Sequence, residues 1–171
     1  MANAVVALLL VAFTLFGVTL MAQGSFVAMN QVSDGWKQME ERSVERAHTE
    51  MEVLDTGGTP FLEEVTLRNS GSTPLRDFEK WDVIVQYYQS DGTYHQRWLS
   101  YTEASPPGDN QWTIAGIYVD AGASQAEIFQ PGILDSAEEM VIQLKLSPAA
   151  RSSGNQVIIG TPNGISVVTS F

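Results

Sequence analysis

Hydrophobic and polar positions follow two different rules along this chain. From Ala2 to Ala22 the residues are apolar around the whole circumference of a helix, with no polar stripe at 3.6-residue spacing. A helix of that kind lies in lipid or in the middle of a protein bundle. Residues 1 to 33 contain no Asp, Glu, Lys, Arg or His; the first charge is Asp34 and the first proline is Pro60. The helical pattern outlasts the apolar run. Good helix formers continue to about Ala47, with Glu41 and Glu45, and Arg42 and Arg46, one turn apart, and with Trp36, Met39 and Val44 as a narrow apolar stripe. Gly35 is the weak point, because glycine in a helix interior costs about 1 kcal/mol against alanine, and a kink or break is expected there. Unbroken, such a helix is on the order of 70 Å long at 1.5 Å per residue, about twice the ~30 Å hydrocarbon core of a bilayer.

From about Thr49 the period changes to two, which is strand spacing. Met51 and Val53 alternate with Glu50 and Glu52, and Thr56-Gly57-Gly58-Thr59-Pro60 is expected to break the chain sharply. Further strands are expected over 61–69, 81–89, 94–101, 112–119, 125–129, 140–146, 156–160 and 165–170. Val65 and Leu67 share one face, Trp81, Val83, Val85 and Tyr87 another, and Met140, Ile142, Leu144 and Leu146 show the clearest alternation. Asp91-Gly92 reads as a hairpin turn and Gly116 as a candidate bulge. Leu75 and Phe78 are expected to pack inward from a short linker. Short strands at this spacing, with turn residues between them, indicate an antiparallel sandwich of about seven to nine strands. The expected class is α+β: a long N-terminal hydrophobic α-helix over 1–47, joined directly to an immunoglobulin-like antiparallel β-sandwich head over 48–171.

Composition narrows the reading of the helix. Three alternatives compete for its apolar stretch. A secretory signal peptide needs a basic n-region, a short apolar core and a small-x-small cleavage site, yet no Lys or Arg precedes Lys37 and the run is too long. A plain membrane anchor is physically sound, but flanking basic residues normally set its orientation. A helix that starts in the membrane and ends in a filament core also fits, since lipid tails and a bundle of apolar helices are similar solvents. The remaining residues, about 120, suffice for one domain with its own core. With 20 acidic and 9 basic residues the net charge is −11, which argues against a nucleic-acid partner and favours a solvated, mutually repelling surface. The chain has no cysteine, which excludes a disulfide framework and a thiolate metal site.

A search for chemistry returns little. His48 and His95 are the two histidines and lie in different elements, without carboxylates at metal spacing. Glu63-Glu64 and Glu138-Glu139 are adjacent pairs; in a strand each pair points to opposite faces, which opposes general acid–base pairing and favours turn or surface roles. No Ser-His-Asp grouping, nucleophile elbow, phosphate-cradling glycine loop or EF-hand loop is present, nor an Asn-x-Ser/Thr sequon. Trp81, Tyr87, Trp98, Trp112 and Tyr118 form either a carbohydrate surface or core; their alternating strand positions favour core. An enzyme, a cofactor and a metal are not expected.

The residues resemble a known family. An uncharged N-terminal helix running directly into a β-sandwich is similar to archaellins, the subunits of the archaeal-type swimming filament, which are themselves similar to type IV pilins. Asn69-Ser70-Gly71, then Leu75, then Trp81-Asp82-Val83-Ile84-Val85 resembles the "N-x-G, leucine, D-V-x-V strand" of archaellins and of the archaellum's accessory stator proteins. Leu134-Asp135-Ser136-Ala137-Glu138, then Thr161-Pro162-Asn163-Gly164, resembles the archaellin ending "L-x-x-G-E, strand, P-x-G turn, strand", with Ala137 in place of the glycine. Typical bacterial type IV pilins carry glutamate at mature residue 5; Val5 stands here, which sides with the archaellin branch if Met1 is the mature N-terminus. The resemblance implies a short basic leader cut by a prepilin-type peptidase, a filament assembly machinery, and insertion in the membrane before assembly.

The expected role is a structural subunit of an extracellular helical filament for motility or adhesion, a homopolymer at the cell surface. Val5, Val6, Leu8, Leu9, Leu10, Phe13, Leu15, Phe16, Leu20, Met21 and Phe26 are the expected filament-core interface, together with Ala2, Val18 and Val27. Ala4, Ala7, Ala12, Gly17, Gly24 and Ala28 are expected to allow close helix packing, Gly24 and Ala28 as a small-xxx-small pair. The alternative is a membrane-anchored, stator-like accessory protein whose sandwich binds a surface-layer or envelope partner.

Overall fold

Local sequence and long-range pairing agree over most of the head. The computed structural model describes residues 2–59 and 61–171; Met1, and Pro60 at the end of the expected break, lie outside them. The chain divides into two compact units, Met1–Ser43 and Val44–Phe171.

One helix, α1, runs over Ala2–Ala47. It continues through Asp34-Gly35 without interruption, so the break expected at Gly35 is absent. A single glycine penalty is small beside the cooperative hydrogen bonding of the helical residues on either side.

Among the described residues the second unit holds nine strands: β1 Met51–Thr59, β2 Leu62–Asn69, β3 Asp82–Tyr88, β4 Tyr94–Tyr101, β5 Gln111–Asp120, β6 Gln125–Ala126, β7 Glu139–Lys145, β8 Gln156–Gly160 and β9 Ser166–Ser170. Their order is β1-β2-β7-β5-β4-β3-β8-β9, with β6 beside β5. Two antiparallel layers, β1-β2-β7-β5 and β4-β3-β8-β9, are joined where β4 and β5 run parallel at Ser100↔Gln111 and Tyr101↔Trp112. The head is therefore a mixed sheet, sandwich-like and nearly closed, rather than strictly antiparallel. At the open seam Thr56 Oγ1 donates to the Ser170 carbonyl at 3.4 Å.

The core lies between the layers. Val65, Leu67, Met140, Ile142 and Leu144 face Val83, Val85, Tyr87, Leu99, Val157 and Ile159, all buried. Leu75 and Phe78 are buried as expected, Phe78 opening a short 3-10 turn at Phe78–Lys80. The expected bulge is present: β5 slips against β7 between Ile114 and Gly116. Three expectations are corrected. Thr56 to Thr59 do not break the chain but extend β1, pairing through Thr59↔Leu62. Gly58 makes this possible with φ 127°, where a Cβ would meet the Leu62 and Glu63 backbone. The strand expected over 125–129 shrinks to Gln125–Ala126. Among the five aromatic residues expected in the core, Trp81, Tyr87 and Trp112 are buried and Tyr118 half-buried, but Trp98 is 73% exposed.

The motifs behind the resemblance meet in space. Asn69 is fully buried; its Nδ2 donates to the Thr73 and Leu134 carbonyls at 2.9 and 3.0 Å, and its Oδ1 accepts from Gly71 N at 3.1 Å. Gly71 N also donates to the Glu50 carbonyl at 3.0 Å, and a Cβ there would stand 2.5 Å from Glu50 N and from the His48 oxygen. Leu75 and Leu134 exchange backbone hydrogen bonds at 3.0 and 2.8 Å. Glu138 closes the second motif, its Oε2 accepting from Asp135 N at 2.8 Å. Ala137 has φ 69°, the left-handed region that favours glycine.

Candidate functional site

The feature that asks most for an explanation is α1. Between Ala4 and Ala22 its polar side chains are Thr14 and Thr19 alone. Both satisfy themselves within the helix: Thr14 Oγ1 donates to the Val11 carbonyl and Thr19 Oγ1 to the Leu15 carbonyl, each at 2.8 Å. A hydroxyl bonded back to its own helix asks nothing of water, which suits surroundings without water. The helix is long and apolar enough to cross a membrane.

All eleven expected interface residues, Val5 to Phe26, lie on α1 and are between 52% and 79% exposed. The small residues Ala4, Ala7, Ala12, Gly17, Gly24 and Ala28 are exposed as well. A Cβ added at Gly17 or Gly24 would meet nothing within 4 Å, so packing within the chain does not require glycine there. From Asp34 onward the helix carries charge, with Lys37, Glu40, Glu41, Arg42, Glu45 and Arg46.

The head offers no comparable chemistry. His48 is exposed, with Nδ1 3.4 Å from Ser72 Oγ. His95 stacks on Tyr87 with ring centroids 5.1 Å apart. Among the described residues no group of three or more His, Cys, Asp or Glu is placed to hold a metal. Glu63 and Glu64 divide between the faces of β2 as strand geometry dictates, while Glu138 precedes β7; two of the four glutamates are not surface residues. Glu63 is buried on the core face of β2, in line with Val65 and Leu67, and burial pushes its carboxyl up to about 7. Glu139 is buried and ion-paired with Arg68, its directly opposed partner, and its Oε2 accepts from Ala121 N at 2.8 Å.

Sequence reasoning missed three features of the head. Burial of Glu63 has a signal in its parity with Val65 and Leu67. Exposure of Trp98 has one in its parity with Tyr94, Gln96 and Ser100. The apolar pair Ile128-Phe129, 81% and 91% exposed, leaves the sheet just after β6, and only the shortness of that strand distinguishes it from an inward-facing segment.

No family model matches the chain, and no curated protein does. Solved structures do. Archaeal flagellin FlaB1 from Methanocaldococcus jannaschii matches at 11% identity and a TM-score of 0.54, covering 72% of this chain and 88% of that one. The archaellum periplasmic stator protein FlaG from Sulfolobus acidocaldarius matches at 18% identity and a TM-score of 0.51, covering 72% of this chain and 99% of that one. The archaeal flagellum of Methanospirillum hungatei matches at 10% identity and a TM-score of 0.49 over 96% of this chain and 88% of that one. The fold is archaellin-like, and the solved structures named above are archaellum components.

Proposed function

We propose that this protein is a structural subunit of an extracellular helical filament of the archaellum and type IV pilus superfamily, polymerising through α1. One observation carries the reading: among the described residues, the large apolar side chains of α1 from Val5 to Phe26 are all more than half exposed. At about 2 kcal/mol per large apolar side chain removed from water, the eleven interface residues represent on the order of 20 kcal/mol. That exceeds common estimates of association entropy, about 4–15 kcal/mol. Copies of the same helix supply such cover, and a contact that does not close on itself generates an open helix of subunits. Before assembly the same surface suits lipid. By the archaellin resemblance, a prepilin-type peptidase cuts a leader, the filament machinery draws the subunit out of the membrane, and the polymer serves motility or adhesion at the cell surface.

The likeness to the stator protein FlaG, over 99% of that chain, supports a second reading, a membrane-anchored accessory protein at low copy number whose head binds an envelope partner. Shearing cells that express the protein separates the two. A filament subunit appears in the sheared fraction as polymer in negative-stain electron microscopy. Protein that stays with the membranes, without filaments, overturns the first reading in favour of the second.

A further inference from the structure

Two exposed apolar features of the head are unexplained by its own folding. The first is a row on the outer face of the β4-β3-β8-β9 layer. Trp98 is directly opposed to Ile84, Ile84 to Ile158, and Ile158 to Val168, so one apolar line crosses four strands. Trp98 and Val168 at its ends are 73% and 52% exposed, and Ile84 and Ile158 are half-buried. Gln96, Gln86 and Gln156 form a neutral row beside it. Asp82 is the single charge among the outward positions of these four strands. The outer face of the other layer is different: Arg68 opposes Glu139, Glu64 opposes Gln143 and Lys145 opposes Leu62.

The second feature is Ile128-Phe129, a knob held out into solvent. Glu127 fixes it: Oε1 accepts from Phe129 N at 2.6 Å and Oε2 from Gln130 N at 2.9 Å, while Glu127 N donates to the Ile117 carbonyl at 3.0 Å. A carboxylate that binds two successive amides spends its hydrogen-bonding capacity on presenting two apolar side chains to water.

We propose that the Ile128-Phe129 knob of one head seats on the Trp98–Val168 row of a second copy. Neither feature covers the other within one chain, since both remain exposed. Charge selects the occupant: copies of a chain of net charge −11 repel one another, and an uncharged row meeting an apolar knob is where two of them approach without like-charge contact. A contact between different patches of identical subunits propagates rather than closes. It is also small. A phenylalanine buries about 150–250 Å², against the roughly 1,200–2,000 Å² of a stable interface, so it does not hold two heads together in dilute solution. It acts where another interaction already keeps copies close, at effective concentrations of about millimolar or more. The proposal thus rests on the filament reading and adds to it a head-to-head register.

The chain lacks cysteine, so introduced thiols report cleanly. In polymer assembled from full-length Ile128→Cys/Val168→Cys protein, which keeps Phe129 and Trp98, mild oxidation gives a ladder of covalent multimers. Either single variant stays monomeric on a denaturing gel. Polymer from the double variant without a ladder overturns the head contact and leaves the filament reading standing. Dimers from Val168→Cys alone mean that the row meets itself, which also overturns it. Should the double variant not assemble, the dissociation temperatures of Phe129→Ser, Trp98→Ser and doubly substituted polymer decide. Each single change lowers the temperature and the double lowers it no further, with head unfolding unchanged; additive losses overturn the contact. A wild-type chain that forms no polymer removes the filament reading, and this proposal with it.

Discussion

Asn69 and Leu134 stand 65 residues apart in sequence, yet Asn69 Nδ2 donates to the Leu134 carbonyl at 3.0 Å within the buried centre of the head. The bond ties the end of β2 to the segment that leads into β7. The same amide serves Thr73 O and Gly71 N, so one side chain organises a turn and a tertiary contact together. Asn69→Ala removes three hydrogen bonds; Gly71 N and the Leu134 carbonyl keep backbone partners in Glu50 and Leu75, but the Thr73 carbonyl is left without one, in a place where an unsatisfied polar group costs about 1–3 kcal/mol. The expected loss is about 2–3 kcal/mol, read from denaturant unfolding of the full-length protein in detergent, and Asn69→Asp does not restore it because a carboxylate cannot donate to the carbonyls.

Ala137 gives a prediction of opposite sign. It occupies φ 69°, a conformation that costs a residue with a Cβ about 1 kcal/mol or more. Its amide donates to the Asn69 carbonyl at 2.8 Å, which holds it there. Ala137→Gly is therefore expected to stabilise the head by up to about 1 kcal/mol, although glycine ordinarily destabilises by adding freedom to the unfolded chain. A lowered unfolding midpoint sinks this account.

Glu63 makes stability depend on pH. Burial raises its carboxyl from 4.5 to about 7, so between those values the folded protein keeps a proton that the unfolded chain has released. Stability then falls as pH rises from about 4.5 to about 7 and is flat above, by at most about 3 kcal/mol at 1.36 kcal/mol per unit. Glu63→Gln removes this slope and is the more stable form at pH 8. Unfolding curves of both proteins at pH 5 and pH 8 give the comparison directly; equal slopes exclude Glu63 as the source.

A charge on the apolar helix tests assembly separately from folding. Leu9→Asp or Phe13→Asp places a carboxylate where the proposed polymer core excludes water, and a buried unpaired charge costs several kcal/mol. Filaments are expected to be lost, while the head keeps the tryptophan fluorescence and unfolding transition of the parent. Normal filaments from either variant refute the helix as the assembly surface.

How much of this was legible before folding depends on the reach of the interaction. The inward positions of β7, Met140, Ile142 and Leu144, were legible because alternation is local and both neighbours of each residue are more polar or lie on the opposite face. The residues Thr56 to Thr59 misled because local turn preference lost to the ladder with β2, which supplies partners for their backbone. Glu63 misled because charge suggests surface, while its parity with Val65 places it in the core.

Hydrophobicity on every side of a helix needs no knowledge of the rest of the chain, so the run from Ala2 to Ala22 was legible at once as a surface unsuited to water. Most strand positions, and which residues on each share a face, were legible in the same way. Where both faces of a strand carry large apolar residues, it took the packing of the two layers to settle which face is inside. Trp112 and Trp98 both sit within strands, yet Trp112 is 0% and Trp98 73% exposed. Period-two geometry sorts side chains into two sets, and the second layer covers one of them.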